Sequence, residues 1–141
     1  MRIVLDTNVL VSGLLNPDRN PGRVVDLFLA GEVILLVDDR ILTEYRAVLH
    51  RPKFAFDASS VSALLDLIEA ESERVTAQPL AIVLPDARDL PFLEVAVAGE
   101  AEAIVTGNAR DFKQSERSPV RVEAPAAFIR HWPERRPTPT K

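Results

Sequence analysis

Short apolar runs rich in β-branched residues recur along this chain, with amphipathic segments of helical length between them. Arg2-Ile3-Val4-Leu5, Val33-Ile34-Leu35-Leu36-Val37 and Ala103-Ile104-Val105-Thr106 read as buried strands, because a strand covered on both faces shows no polar side. After Leu5 the period changes at once, and Val9, Leu10, Gly13 and Leu14 follow a helical rhythm. Further helices are expected over residues 23–30 before Gly31, 39–50 before Pro52, 59–73, and 89–98 before Gly99. Residues 16–22 read as a turn-rich loop, and residues 74–76 and 81–84 as short extended pieces. Residues 120–122 read as a last strand and 125–131 as a last helix. This alternation predicts a single-domain, three-layer α/β/α fold on a central, mainly parallel sheet. Residues 1–132 make up that domain, and 133–141, with three prolines and several charges, are expected to form a flexible tail.

Composition narrows the field. Of 141 residues 47% are hydrophobic, enough to build a core without staples, and the absence of cysteine removes disulfide and thiolate chemistry. The charge sum, 17 − 21 = −4, means that a nucleic-acid partner would have to be held by a local basic patch. No run approaches a membrane span and no export signal is visible, so a soluble cytoplasmic domain is expected.

Four acids fall at comparable places in the pattern. Asp6 ends the first strand, Glu44 lies mid-helix, Asp89 opens a helix, and Asp111 follows the strand 103–106, with Asn108 before it. In an open parallel sheet, ligands bind outside the carboxyl ends of the strands, and helices packed on the sheet can bring Glu44 and Asp89 to that rim. Each acid also has an ordinary reading. Asp6 and Asp89 could cap their helices, Glu44 could pair with Arg40 one turn earlier, and Asp111 could be a loop acid beside Arg110. Asp86, next to Pro85, reads as a turn residue.

Carboxylates crowded together repel, and at neutral pH some would take up protons. A hard divalent cation, Mg²⁺ or Mn²⁺, relieves that repulsion with oxygen ligands, and such a site polarises a phosphodiester and activates water. Little competes with it. His50 and His131 are the only histidines, and no Ser/His/Asp arrangement, glycine-rich phosphate cradle or zinc spacing is present. His50 ends a helix and reads as a partner of its last carbonyls.

The blocks Leu5-Asp6-Thr7-Asn8-Val9-Leu10, Leu42-Thr43-Glu44-Tyr45, Asp89-Leu90-Pro91-Phe92-Leu93-Glu94-Val95-Ala96 and Ile104-Val105-Thr106-Gly107-Asn108-Ala109-Arg110-Asp111-Phe112 resemble the PIN-domain ribonucleases. Among them, the prokaryotic toxins of type II toxin–antitoxin pairs look most alike. The resemblance runs in order from Met1 to about Ile129. It implies a PIN-like fold, a metal-dependent endoribonuclease acting on RNA, a small antitoxin protein as partner, and a homodimer. Asp6, Glu44 and Asp89 match the family's three principal acids. Related sequences carry an acid directly after Thr-Gly, where this chain has Asn108, so Asp111 is the candidate to complete the site. Thr7, Asn8, Thr106 and Asn108 are candidates to orient the acids by hydrogen bonds or through water. Arg40, Arg51, Lys53 and Arg110 are candidates for RNA phosphates, with solvated surface charge as the alternative.

Other classes fit less well. A phosphatase of the aspartyl-phosphate type needs an acid where this chain has Asn8, and no receiver-domain Asp/Lys pair stands out. A non-catalytic module binding RNA or protein on the same fold is the runner-up.

Overall fold

The computed structural model describes residues 1–112 and 120–135. Five strands, β1 (Arg2–Leu5), β2 (Ile34–Val37), β3 (Glu73–Arg74), β4 (Ala103–Val105) and β5 (Arg121–Glu123), form one sheet in the order β3-β2-β1-β4-β5. Every pairing is parallel. Among the described residues six α-helices connect and cover them: α1 (Thr7–Leu15), α2 (Asn20–Leu29), α3 (Asp39–Leu49), α4 (Ala58–Glu71), α5 (Leu90–Ala98) and α6 (Pro125–Arg135). The expected α/β/α architecture is what the chain adopts.

The core follows from the strands. Ile3, Val4 and Leu5 are all buried, as are Ala103, Ile104 and Val105. Neighbouring strand residues point to opposite faces, so both faces of the central strands must be covered. Helix α5 packs on β1, β2 and β4, while α1 packs on α2 and α2 on α6. Strand β2 is buried except at its start, where Ile34 is exposed.

Local departures from the sequence reading have identifiable causes. Helix α2 begins at Asn20, inside the expected loop, because Pro21 occupies the first turn, where its missing N–H costs nothing. The chain turns into it so tightly that a Cβ on Gly22 would lie 2.1 Å from the Pro17 carbonyl oxygen. Gly31 then ends the segment with φ +75°. Strand β3 is Glu73–Arg74, and no strand forms over residues 81–84, where Leu84 is buried but Val83 is open to solvent. The last strand is shifted to Arg121–Glu123.

Helix α6 does not stop at His131. It continues through Pro133 to Arg135, held by Phe128 against Trp132 (centroids 5.8 Å apart). Arg135 also forks onto the buried Glu123 of β5, at 2.5 and 2.6 Å. The tail expected from Pro133 therefore begins within this helix, and residues 136–141 lie outside the described part.

Candidate functional site

Strand order reverses at β1: the chain runs outward through β2 and β3, then returns to the other side of β1 with β4 and β5. The crevice at the carboxyl ends of β1 and β4 is the topological switch point, where open α/β sheets bind ligands. Asp6 follows β1 directly and Thr106 follows β4, and the Asp6 amide donates to the Val105 carbonyl at 2.9 Å. The Thr106 hydroxyl donates to Asp6 Oδ2 at 2.7 Å. Its oxygen accepts in turn from the Asn108 amide at 3.0 Å.

Helix α3 brings the second acid. Asp38 caps it, accepting from the Ile41 amide at 3.0 Å as its place before the helix predicts. Tyr45, wholly buried, donates its hydroxyl to the Leu5 carbonyl at 2.5 Å and packs its ring 6.5 Å from that of Phe92 on α5. That anchor ties α3 to the residue before Asp6 and sets the position of Glu44, which accepts a hydrogen bond from the Thr7 hydroxyl. Burial, with the charges of Asp6 and Glu44 behind it, pushes the Tyr45 phenol well up, so it stays a donor.

Asp89 ends a 3₁₀ turn, Ala87–Asp89, immediately before α5. Together Asp6, Glu44 and Asp89 line a cleft of about 310 Å³, with Asp86 and Arg88 beside them. Arg51 and Phe54 stand at another part of the wall; Phe54 belongs to the 3₁₀ turn Pro52–Phe54.

The ordinary readings of these acids do not describe this arrangement. Asp38, Asp57 and Asp86 accept capping hydrogen bonds from backbone amides, whereas Asp89 makes none at the start of α5, and Asp6, although the Thr7 and Asn8 amides favour its charge, takes its close side-chain hydrogen bond from Thr106. Arg40 does not pair with Glu44. Its guanidinium reaches Asp38 at 2.8 Å and the buried Glu94 at 2.7 Å, and Glu94 also accepts from the Leu80 amide at 2.8 Å. Arg40 thus borders a different cleft, with Asp38 and Arg74. His50 contacts the Arg46 carbonyl at 2.7 Å, as expected of a residue ending its helix.

Electrostatically the cleft is short of positive charge. Burial pushes the Asp6 carboxyl up, and Glu44 adds to this against the Thr106 hydrogen bond. Asp89 is pushed up to about 7, first by burial and then by the charges of Asp6, Asp86, Asp111 and Glu44. Asp111 does not line the cleft, but its charge is felt there; its amide closes a turn onto the Asn108 carbonyl at 2.9 Å. Asn8 supports the same corner, accepting from the Gly107 amide at 3.0 Å. Arg110 is exposed.

Sequence reading left two charged residues of the cleft, and the ring of Phe54, out of the site. Asp86 caps the 3₁₀ turn as a turn residue should, yet it also lines the wall and holds Arg88, the cation beside the acids, at 2.9 Å. The spacing Asp86-x-Arg88-Asp89 was the available signal.

The donors present are carboxylates, hydroxyls and an amide oxygen, a set suited to a hard cation such as Mg²⁺ or Mn²⁺. Among the described residues no three acidic or histidine side chains stand together as a ready-made ligand group. Mg²⁺ does not require one, since it commonly binds through one or two carboxylates and keeps its remaining waters.

Fold and cleft define an open parallel α/β protein with carboxylates gathered at the switch point of its sheet. The model of the PIN domain matches residues 2–110, and the chain belongs to the PIN-domain family. It is 30% identical over 111 residues to the uncharacterized protein MJ1680 of Methanocaldococcus jannaschii, covering 77% of this chain and 71% of that one. In structure it is similar to VapBC2 from Rickettsia felis, solved bound to a DNA fragment from their promoter. The TM-score is 0.55 at 21% identity, over 88% of this chain and 98% of that one.

Proposed function

We propose that this chain is a metal-dependent endoribonuclease that hydrolyses RNA phosphodiester bonds, and that it acts as the toxin of a toxin–antitoxin pair. The observation that carries the first part is the convergence of Asp6, Glu44 and Asp89 on one cleft at the switch point. Asp89 occupies a helix start without capping it, and Asp6 is oriented by Thr106 from the neighbouring strand end. Asp6 and Asp89 are the residues to hold Mg²⁺ or Mn²⁺, with Glu44 and Asp111 adding negative charge around it. When bound, such an ion neutralises the phosphodiester and makes water a better nucleophile.

The chain's own residues prepare that site. Thr106 and Thr7 each donate a hydroxyl to one carboxylate, fixing the rotamers of Asp6 and Glu44. Tyr45 fixes the helix from which Glu44 projects. Arg88, paired with Asp86, lines the cleft wall with these acids. Family membership and the likeness to the VapBC2 fold support the toxin role and a small antitoxin as partner. A homodimer remains an expectation of the family.

A second reading, a non-catalytic module binding RNA or protein, is favoured by Asn108 at the position where related sequences carry an acid, and by the absence of a ready-made three-acid group among the described residues. Incubating the purified protein with single-stranded and structured RNA, with Mg²⁺ or Mn²⁺ and with chelator, separates the two. Cutting that needs metal and is lost in Asp6→Asn and Asp89→Asn supports the nuclease. Tight RNA binding with no cutting by any form supports the module.

A further inference from the structure

Between α3 and α4 the chain makes a small aromatic projection that the acid cleft alone does not account for. Ala55 takes the left-handed backbone conformation (φ 50°), one that residues bearing a Cβ seldom adopt. The reversal lays Phe54 against Phe56, with ring centroids 5.4 Å apart and planes within 17°. The two rings differ in their surroundings. Phe56 packs against the hydrophobic core, whereas Phe54 stands outside that packing and lines the acid cleft. Asp57 secures the following turn by capping α4.

The cations flanking this pair are not committed elsewhere. Arg51 lines the same cleft and has no ion pair among the described residues, while Lys53 places its ammonium 5.1 Å from the Phe54 centroid. The other cation of the cleft wall, Arg88, is already neutralised by Asp86. An aromatic ring backed by a second ring, bordered by two free cations and opening onto a phosphodiester-cleaving centre, has the composition of a single-strand binding surface. There, bases stack on the aromatic faces and cations track the backbone.

We propose that Phe54 is a stacking platform for an unpaired base next to the scissile phosphate, with Arg51 and Lys53 on the adjoining phosphates. Phe56 is the backing that holds the ring upright. The Lys53 ammonium is a displaceable cover, since an exposed cation–π contact is weak and a phosphate offers it a full charge. In a duplex the bases are stacked on each other and offer no free face, so the surface discriminates against paired RNA. This inference deepens the nuclease reading and rests on it for the position of the cut.

The test is fluorescence anisotropy with a short labelled oligoribonucleotide, single-stranded or annealed to its complement, in chelator so that nothing is cut. Phe54→Ala should weaken single-strand binding about 5- to 150-fold, the range of one lost base stack, and leave duplex binding unchanged. Phe54→Tyr should restore it, and Phe54→Leu should not. Arg51→Ala with Lys53→Ala should lower the slope of log K against log salt by about 1.4, as for two phosphates on a single strand. With Mg²⁺ present, Phe54→Ala should raise KM with little change in kcat. Melting curves matching the parent exclude unfolding as the cause. Unchanged binding in Phe54→Ala, an equal loss for both RNA forms, or full affinity in Phe54→Leu overturns the platform; the last would make the ring an apolar contact suited to a protein partner. If Phe54-dependent binding is found but the parent never cuts RNA with metal, the nuclease reading falls and the platform stands. Cutting with a KM indifferent to Phe54 gives the reverse.

Discussion

Asp89→Asn is expected to make the metal-free protein more stable at pH 8. In the folded chain the Asp89 carboxyl titrates at about 7, against an ordinary value of 3.8. Below pH 4 both folded and unfolded chains hold the proton, and the group costs nothing. Between about 4 and 7 the unfolded chain releases its proton while the folded one keeps it, so stability falls as pH rises and the loss persists above 7. A shift of that size corresponds to at most about 4 kcal/mol; the side chain is only partly buried, and solvent screening brings the expected cost down to about 1–2 kcal/mol. Asn is nearly isosteric and carries no charge, so it removes the penalty. The assay is thermal melting in chelator from pH 5 to pH 8. The parent should lose stability across that range relative to Asp89→Asn, the variant melting about 3–8 °C higher at pH 8, with the gap closing toward pH 4. A variant less stable than the parent at pH 8, or a gap indifferent to pH, would show that Asp89 is not held among uncompensated charges, and the reasoning would be refuted.

Mg²⁺ should raise the melting temperature of the parent, by about 2.7 kcal/mol of stability at one hundred times its dissociation constant. The effect should vanish in Asp6→Asn, whose own metal-free fold should be intact or firmer. Tyr45→Phe should cost about 1–2 kcal/mol, because the Leu5 carbonyl loses a buried donor; urea denaturation with an unchanged m-value measures it. Ending the chain after Trp132 should cost about 1–3 kcal/mol, since among the described residues the buried Glu123 then keeps only Arg121, at 3.8 Å. A truncated protein as stable as the parent would mean that residues 133–135 contribute no more than the tail first expected there.

How far the sequence disclosed this molecule depended on whether a residue's role was local. The start of β1 and the change of period after Leu5 were legible because burial of successive side chains and helical spacing are properties of a few neighbouring residues. The Asp38 cap was legible for the same reason. Asp6 and Asp89 stand at the same kind of position as Asp38, and nothing local separates an aspartate that caps from one that does not; the partners that distinguish them, Thr106 and the other acids, are far away in the chain. Strand β3 was blurred because it is two exposed charged residues, whose side chains make surface ion pairs and bury no apolar face that would mark a strand. Helix α6 ran past its expected end because Pro133 is a breaker by local rules. What carries it onward is a salt bridge to β5 that no window of sequence contains. Arg40 was placed near Glu44 by helical spacing, which fixes the face of a helix but not which of several carboxylates a long side chain will choose.

The strand order has a consequence for how such a molecule comes into being. The sheet's middle strand is the earliest of the five to be synthesised, yet one of its two neighbours is β4, whose residues leave the ribosome a hundred positions later. Until then β1 has an unpaired edge, and Asp6 lacks the hydroxyl that orients it. A nascent or truncated chain ending before Thr106 therefore already holds every residue that lines the cleft, but not the hydroxyl that orients Asp6, so the site is completed late, when nearly all of the domain has been made.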